Sequence, residues 1–283
     1  MLKHQRQFWD MPNRIVLLIG GYGSGKTYIG ALKSLYMSYL NSPIPGMYVS
    51  PSHQLATKTI IITLKELCNR AAIDYTYNQQ RSEFIFHNWG GKLWLGSGDK
   101  PDSLRGPNIG WAVIDEPFIQ KREVFEQMIA RVRHPEATKS QIFLTGTPEQ
   151  LNWGFTLAND PDIDIGVIQA STLDNPHLPD DYKQSLLQAY SEEQIEAYVH
   201  GKFVNLTQGR VYKDFDRDKH VVKRPDLKNE NLPIGIAMDF NVDAMSSEIF
   251  YIGTNWIHVF DEVRLKNATT YDMVEELVKR YPE

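Results

Sequence analysis

Through the first 170 residues, short apolar runs alternate with longer stretches whose apolar residues recur at helical spacing. The runs span residues 15–19, 46–50, 84–87, 92–95, 111–114, 141–145 and 163–169. Helical stretches at 27–40, 54–71 and 121–132 lie between several of them. This alternation predicts an α/β fold, a mainly parallel sheet flanked by helices. Residues 82–97 break the pattern, and their two short strands around Asn88-Trp89-Gly90-Gly91 predict an inserted β-hairpin. A polar connector with Asp174-Asn175-Pro176 and Leu178-Pro179-Asp180 leads into a helix predicted over 181–200. From 201 to 233 the periodicity fades, and Pro225 and Pro233 punctuate it. The pattern therefore predicts a first domain over 1–205, a linker over 206–232 and a second domain over 233–283. In the last, 234–240, 247–253 and 256–265 read as strands and 269–281 as an amphipathic helix.

Composition narrows the class. Hydrophobic content of 42% and charged content of 23% describe an ordinary globular protein. No apolar run is long enough to span a bilayer, and MLKHQRQFWD has no apolar signal core. Cys68 is the single cysteine, which excludes disulfides and thiolate zinc sites within the chain and suits a reducing cytoplasm. The net charge of −5 argues against a simple DNA-coating protein. Any nucleic-acid contact must use local patches such as 209–228, with Arg210, Lys213, Arg217, Lys219, Lys223, Arg224 and Lys228. Four aspartates are interleaved there (Asp214, Asp216, Asp218, Asp226), and a solvated linker is the simpler reading.

The most specific chemistry follows the first apolar run. Gly20-Gly21-Tyr22-Gly23-Ser24-Gly25-Lys26-Thr27 fits G-x-x-x-x-G-K-[ST] without mismatch. In such a loop, backbone N–H groups curl around a polyphosphate, and the following helix points its positive end at the same anion. Lys26 would reach the β- and γ-phosphates, and the Thr27 hydroxyl would ligate Mg²⁺. Trp111-Ala112-Val113-Ile114-Asp115-Glu116 supplies the complement, an apolar strand ending in two carboxylates. Asp115 suits the metal and Glu116 the attacking water. The strand-helix unit between the two motifs suggests an additional central strand, as in hydrolases that turn ATP energy into motion. Phe143-Leu144-Thr145-Gly146-Thr147-Pro148 is a third strand end. Its hydroxyls would sit near the γ-phosphate, or it is a plain Gly-Pro turn. Arg105, in Ser103-Leu104-Arg105-Gly106, would complete a neighbouring subunit's site or is a surface arginine in a turn.

Together these motifs resemble the large terminase subunit of tailed bacteriophages, an ATP-driven DNA-packaging motor with a P-loop NTPase domain of RecA/ASCE type and an RNase H-like nuclease domain. The resemblance covers nearly the whole chain. GGYGSGKT resembles the family's Walker A motif, VIDEP its Walker B with catalytic glutamate, TGTPE its coupling motif and DSLRG a loop that supplies an arginine in trans. LDNPHLP and GKFVNLTQGRVYKDFDR resemble the stretch that closes the ATPase domain and enters the linker. The resemblance implies ATP and Mg²⁺ roles for Lys26, Thr27, Asp115 and Glu116, coupling roles for Thr145 and Thr147, and a trans role for Arg105. Gln5 or Gln7 would correspond to an adenine-contacting glutamine, with Gln7 placed among the nucleotide-binding residues. Many members carry an arginine early in the Walker A loop, where this chain has Tyr22, and that strengthens the case for Arg105. Implied partners are double-stranded viral DNA, the portal protein, the small terminase subunit and further copies in a homo-oligomeric ring, with a monomer in solution as the alternative state. No membrane is involved. The setting would be the cytoplasm of an infected bacterium, transiently on the procapsid and not in the mature virion.

Gly235-Ile236-Ala237-Met238-Asp239-Phe240 resembles the first strand of the nuclease domain, with Asp239 as leading ligand for Mg²⁺ or Mn²⁺. Asp243 is a weaker second ligand or a turn residue, and Asp261 and Glu262 read as solvent-facing acids. About 50 residues follow Pro233, where a complete domain of this kind takes roughly 100–150, so an incomplete and inactive nuclease unit is expected. Two rival readings remain. A helicase shares the P-loop and the Asp-Glu pair but needs a second motor domain, for which the stretch after Phe203 is short. A non-catalytic module would bind ATP and packaging partners without hydrolysis.

Overall fold

Every residue of the strand Ile15–Gly20 (β1) is buried, as a strand covered by helices on both faces requires. Val16 and Leu18 enter one apolar core, while Ile15, Leu17 and Ile19 enter the other. The computed structural model of the chain describes residues 1–148, 152–204, 215, 217–222, 232–240 and 244–281. The chain divides into two compact units, Met1–Gly209 and Arg210–Glu283.

The first unit opens with helix α1 (Lys3–Asp10), then β1, α2 (Lys26–Leu40), β2 (Gly46–Ser50), α3 (His53–Lys58) and α4 (Ile60–Arg70). Strands β3 (Tyr75–Asn78), β4 (Glu83–Phe86), β5 (Gly91–Ser97) and β6 (Trp111–Asp115) follow, then α5 (Arg122–Arg131) and β7 (Ile142–Gly146). The unit closes with α6 (Trp153–Ala158), β8 (Ile165–Ala170), α7 (Asp180–Ala189) and α8 (Glu192–Tyr198). Its eight strands form one sheet in the order β3-β4-β5-β2-β6-β7-β1-β8. The six strands from β5 to β8 in that order pair in parallel, and β4 and β3 extend them antiparallel.

Three features differ from the sequence pattern. The hairpin at 82–97 is not a separate insertion: β5 pairs with β2 and buries Leu93 and Leu95 in the main core. A strand does separate β1 from β6, but it is β7 rather than the strand between the two motifs in sequence; β2 lies on the other side of β6. The two long helices are each broken. Thr59 leaves helical geometry between α3 and α4. At Ser191 a capping box with Gln194 restarts the chain as α8, each partner satisfying an N-terminal N–H of the other's turn. Helices α1 and α6 were not evident from the pattern.

Two packing contacts fix the frame. A methyl group on Gly46 would lie 2.0 Å from Trp111 Cε2, so the indole of β6 occupies the place of a β2 side chain. On α2, Lys33 is 1% exposed. Its ammonium donates to the Trp9 carbonyl oxygen at 2.6 Å and lies over the rings of Trp9, Phe143 and Tyr36 at 4.9, 5.1 and 5.6 Å. That contact ties α1 to α2.

In the second unit a short helix α9 (Arg217–His220) precedes β9 (Ile234–Asp239), β10 (Met245–Ile252), β11 (Ile257–Leu265) and α10 (Thr270–Arg280). The three strands form an antiparallel sheet with β10 central, and a bulge falls between Ile249 and Phe250. Met245, Ile249, Val263, Met273 and Leu277 make its small core. Thr269 caps α10 in a capping box with Asp272. Among the described residues, no helix is long and apolar enough to cross a membrane.

Candidate nucleotide-binding site

The C-terminal ends of β1, β6 and β7 are adjacent because these strands are sheet neighbours. The Gly20–Thr27 loop leaves β1 and enters α2 at Lys26. Gly25 sits in the left-handed region with φ 86°, where a side chain would also meet Gln5 Nε2 at 2.6 Å. Gly21 allows a different close approach: a methyl there would lie 2.5 Å from the carbonyl oxygens of Tyr198 and Val199. The N–H groups of the first α2 turn have no intrahelical acceptor, and the helix dipole adds positive potential at the same point.

The loop is braced on two sides. From α1, His4 Nε2 lies 2.8 Å from the Ser24 carbonyl oxygen and must carry the proton, because a carbonyl only accepts. Gln5 Nε2 donates to the Gly25 carbonyl at 3.2 Å. Ser24 Oγ donates to the Gly21 carbonyl at 2.7 Å. From the segment after β8, Asn175 Nδ2 donates to the Gly23 carbonyl and Thr172 Oγ1 to the Tyr22 carbonyl, both at 2.7 Å. The Tyr22 N–H donates to the Tyr198 carbonyl at 2.7 Å, and the two tyrosine rings stack 4.8 Å apart.

Lys26 is buried, and its ammonium donates to the Gly20 and Gly21 carbonyls at 2.9 Å each. Burial lowers its pKa, opposed by the negative charges of Glu116 and Asp115. Thr27 is half-buried on the first turn of α2. Asp115, at the end of β6, is 4% exposed. Its pKa is pushed up to about 6 by burial and by the charge of Glu116, against the hydrogen bond from Thr145. That bond, Thr145 Oγ1 to Asp115 Oδ1, is 2.8 Å long, and it joins residues that are register partners on β6 and β7. Tyr48 on β2 is fully buried beside Asp115, and burial with that neighbouring charge pushes its phenol well above the ordinary value. Glu116 is half-buried and has left-handed backbone angles, φ 46° and ψ 56°. Its carboxylate accepts from the Thr147 N–H at 2.8 Å and from the Thr147 hydroxyl at 3.4 Å.

Buried Lys26, Asp115, Thr145 and Thr147 and half-buried Glu116 therefore form one cluster under the glycine loop. Arg105 is not in it. Its guanidinium is exposed and pairs with Asp102 at 2.9 Å. Gln7 is exposed on α1, whereas Gln5 is buried and reaches the loop; two residues apart on a helix, they face in different directions. In the second unit Asp239 is exposed at the end of β9. Among the described residues no group of three metal-ligating side chains gathers there or elsewhere. Asp261 is bound to Tyr281 and Arg280, contacts that hold its carboxyl below the usual range, and Glu262 is exposed. Asp243, Glu149 and most of the basic stretch (Arg210, Lys213, Lys223, Arg224, Lys228) lie outside the described residues. The sequence pattern did not reveal His4, Thr172, Asn175 or Gln120 as parts of the site. Only Asn175, in its Asp-Asn-Pro turn, had a local signal.

A P-loop of this form beside paired carboxylates on a mainly parallel sheet defines a P-loop NTPase fold of ASCE type. A family model described as the terminase large subunit, T4likevirus-type, N-terminal, matches residues 17–219, and the chain belongs to that family. It is 27% identical over 141 residues to the PBSX phage terminase large subunit of Bacillus subtilis (strain 168), a match over 49% of this chain and 32% of that relative. The match thus spans about a third of that protein's length. Among solved structures, the large terminase of a thermophilic bacteriophage aligns with a TM-score of 0.66 at 16% identity, over 99% of this chain and 73% of that one. The same protein in complex with ADP aligns with a TM-score of 0.65 at 16% identity and the same coverage. The ATPase domain of the Thermus phage P74-26 large terminase aligns with a TM-score of 0.56 at 14% identity, over 71% and 92%. At these identities the structural likenesses establish the fold.

Proposed function

We propose that the chain hydrolyses ATP to drive double-stranded viral DNA into a procapsid. The observation that carries this reading is the cluster of one ammonium, two carboxylates and two threonines beneath a glycine loop at a helix N-terminus. The large terminase of the thermophilic phage is described in complex with ADP and with ATP-γ-S, and the P74-26 domain as an ATPase; both support the reading. The donor set also fits Mg²⁺, a hard cation that prefers oxygen ligands. Thr27 and Asp115 would hold it, and when bound it would neutralise charge on the β- and γ-phosphate oxygens. The loop residues 20–27, Tyr22 and Ser24 included, would surround the phosphates, with the Tyr22 N–H held on the Tyr198 carbonyl, and Lys26 would exchange its two carbonyl partners for phosphate oxygens. Glu116 would orient the attacking water and accept its proton. Thr147, bonded to that carboxylate, and Thr145, bonded to Asp115, would sense the chemistry and pass it to β7. Arg105, directed into solvent, would act on a neighbouring subunit in a ring on the portal.

In this reading the units are an ATPase domain, a linker and an RNase H-like nuclease unit whose Asp239 would begin a site for Mg²⁺ or Mn²⁺. The portal protein and small terminase subunit are the expected partners, and the host cytoplasm is the expected setting. Steady-state hydrolysis by the purified chain tests the central claim. Slow turnover should be abolished by Lys26→Ala and by Glu116→Gln. Equal turnover by wild type and Glu116→Gln would sink the assignment.

A further inference from the structure

Glu116 holds a left-handed backbone conformation that is strained for a non-glycine residue, so its surroundings must impose it. Its N–H donates to the Thr145 carbonyl at 2.7 Å, which extends the β6–β7 ladder by one bond. Its carboxylate is fixed by Thr147. The remaining contacts come from one side chain, Gln120, four residues on. Gln120 Nε2 donates to the Asp115 carbonyl at 2.6 Å and reaches the Glu116 carbonyl at 3.5 Å. These carbonyls belong to the two peptide planes that flank the Glu116 Cα. An amide anchored on both restrains φ and ψ of the residue between them.

Gln120 is itself anchored. Its N–H donates to the Pro117 carbonyl at 3.0 Å, and its carbonyl accepts from Trp153 Nε1 at 3.1 Å. The side chain is buried, and Oε1 has no hydrogen-bond partner among the described residues. The amide orientation follows from the two carbonyls, which can only accept. A methyl group on Gly98, just past the end of β5, would lie 1.9 Å from that oxygen and 2.8 Å from Cδ. Gly98 has no positive φ to explain it, so the explanation is the room it leaves for the carboxamide. An orphaned buried acceptor is destabilising. A leucine would fill the same space without the orphaned acceptor but would leave the Asp115 carbonyl without its donor, so the two effects oppose each other and burial alone gives glutamine no clear advantage. What leucine lacks is the N–H₂ group.

We infer that Gln120 is a positioning residue for Glu116: its carboxamide, seated against Gly98, holds the glutamate backbone so that the carboxylate meets Thr147 and faces the water it must orient. The inference rests on the ATPase reading above. Three measurements on the full chain test it: steady-state ATP hydrolysis, affinity for a fluorescent ATP analogue, and thermal midpoint. Gln120→Leu should lower kcat by about 10- to 100-fold, as a displaced catalytic group does, with KM and analogue affinity little changed; a fall in midpoint reports the lost donor to the Asp115 carbonyl and does not by itself bear on positioning. A wild-type kcat in Gln120→Leu overturns the inference. Should Gln120→Leu fail to fold, Gly98→Ala must crowd the carboxamide. It should lower kcat at unchanged affinity, and unchanged kcat there is equally decisive against the inference. A wild-type chain that binds the analogue but never hydrolyses ATP would remove the ATPase reading instead.

Discussion

Replacing Lys33 with methionine should change how the stability of the first unit depends on pH. The ammonium is buried among Trp9, Tyr36 and Phe143. Burial, with the like charge of Lys139, lowers its pKa from 10.5 to about 8, against the attraction of Asp10. That fall corresponds to about 3 kcal/mol. Below about pH 8 the folded and unfolded chains both hold the proton, and the folded state bears the whole penalty. Between about 8 and 10.5 the unfolded chain keeps a proton that the folded chain has released, so stability rises with pH. Above that range the penalty is gone. The wild type should therefore gain about 2 kcal/mol from this group between roughly pH 7.5 and 9.5, and Lys33→Met should lack the gain. The variant also leaves the Trp9 carbonyl without its donor, a pH-independent cost of about 1–3 kcal/mol. Urea unfolding followed by tryptophan fluorescence measures the difference. Trp9, Trp89, Trp94, Trp111 and Trp153 all lie in the first unit and Trp256 alone in the second. Parallel pH dependences for the two proteins would refute the argument.

Gly46→Ala forces a methyl group against the Trp111 indole and should cost about 1–3 kcal/mol or more, as overpacking does; an unchanged urea midpoint would show that the sheet absorbs it. Asn175→Ala removes a brace on the Gly23 carbonyl worth about 1 kcal/mol, and should weaken binding of an ATP analogue several-fold with little effect on the thermal midpoint; full affinity would mean the loop holds its shape without it. Mixing Arg105→Ala subunits with Glu116→Gln subunits should restore hydrolysis that neither has alone, and no recovery at any ratio would argue against a trans arginine.

The readable part of this molecule was the part whose logic is local. The all-apolar β1 run and the glycine loop are contiguous, and so are the β6 run and its two carboxylates. What escaped was set by contacts across the chain. Helix α1 shows only Phe8 and Trp9 as large apolar residues in KHQRQFWD; it is held partly by polar contacts from His4 and Gln5 to carbonyls of the loop. Gln5 and Gln7 lie on different helix faces, and of the two it is Gln5 that packs against the loop. The place of β5 beside β2 depends on pairing across more than 40 residues, which no local period encodes. Gln120 was invisible because its role is to bond backbone atoms, which any sequence possesses. The break before α8 was legible in principle, since Ser191 and Gln194 stand at capping-box spacing.

Lys26 has its ammonium out of water and held on two loop carbonyls. Folding, rather than ligand capture, therefore bears much of the dehydration of this cation. In the ATPase reading, a triphosphate entering the loop meets a charge already stripped of water, and binding exchanges two carbonyl partners for phosphate oxygens. The same arrangement makes the protein less stable than a neutral side chain at that position would. In the ATPase reading, ready capture of phosphate and a durable fold thus make opposite demands on one residue.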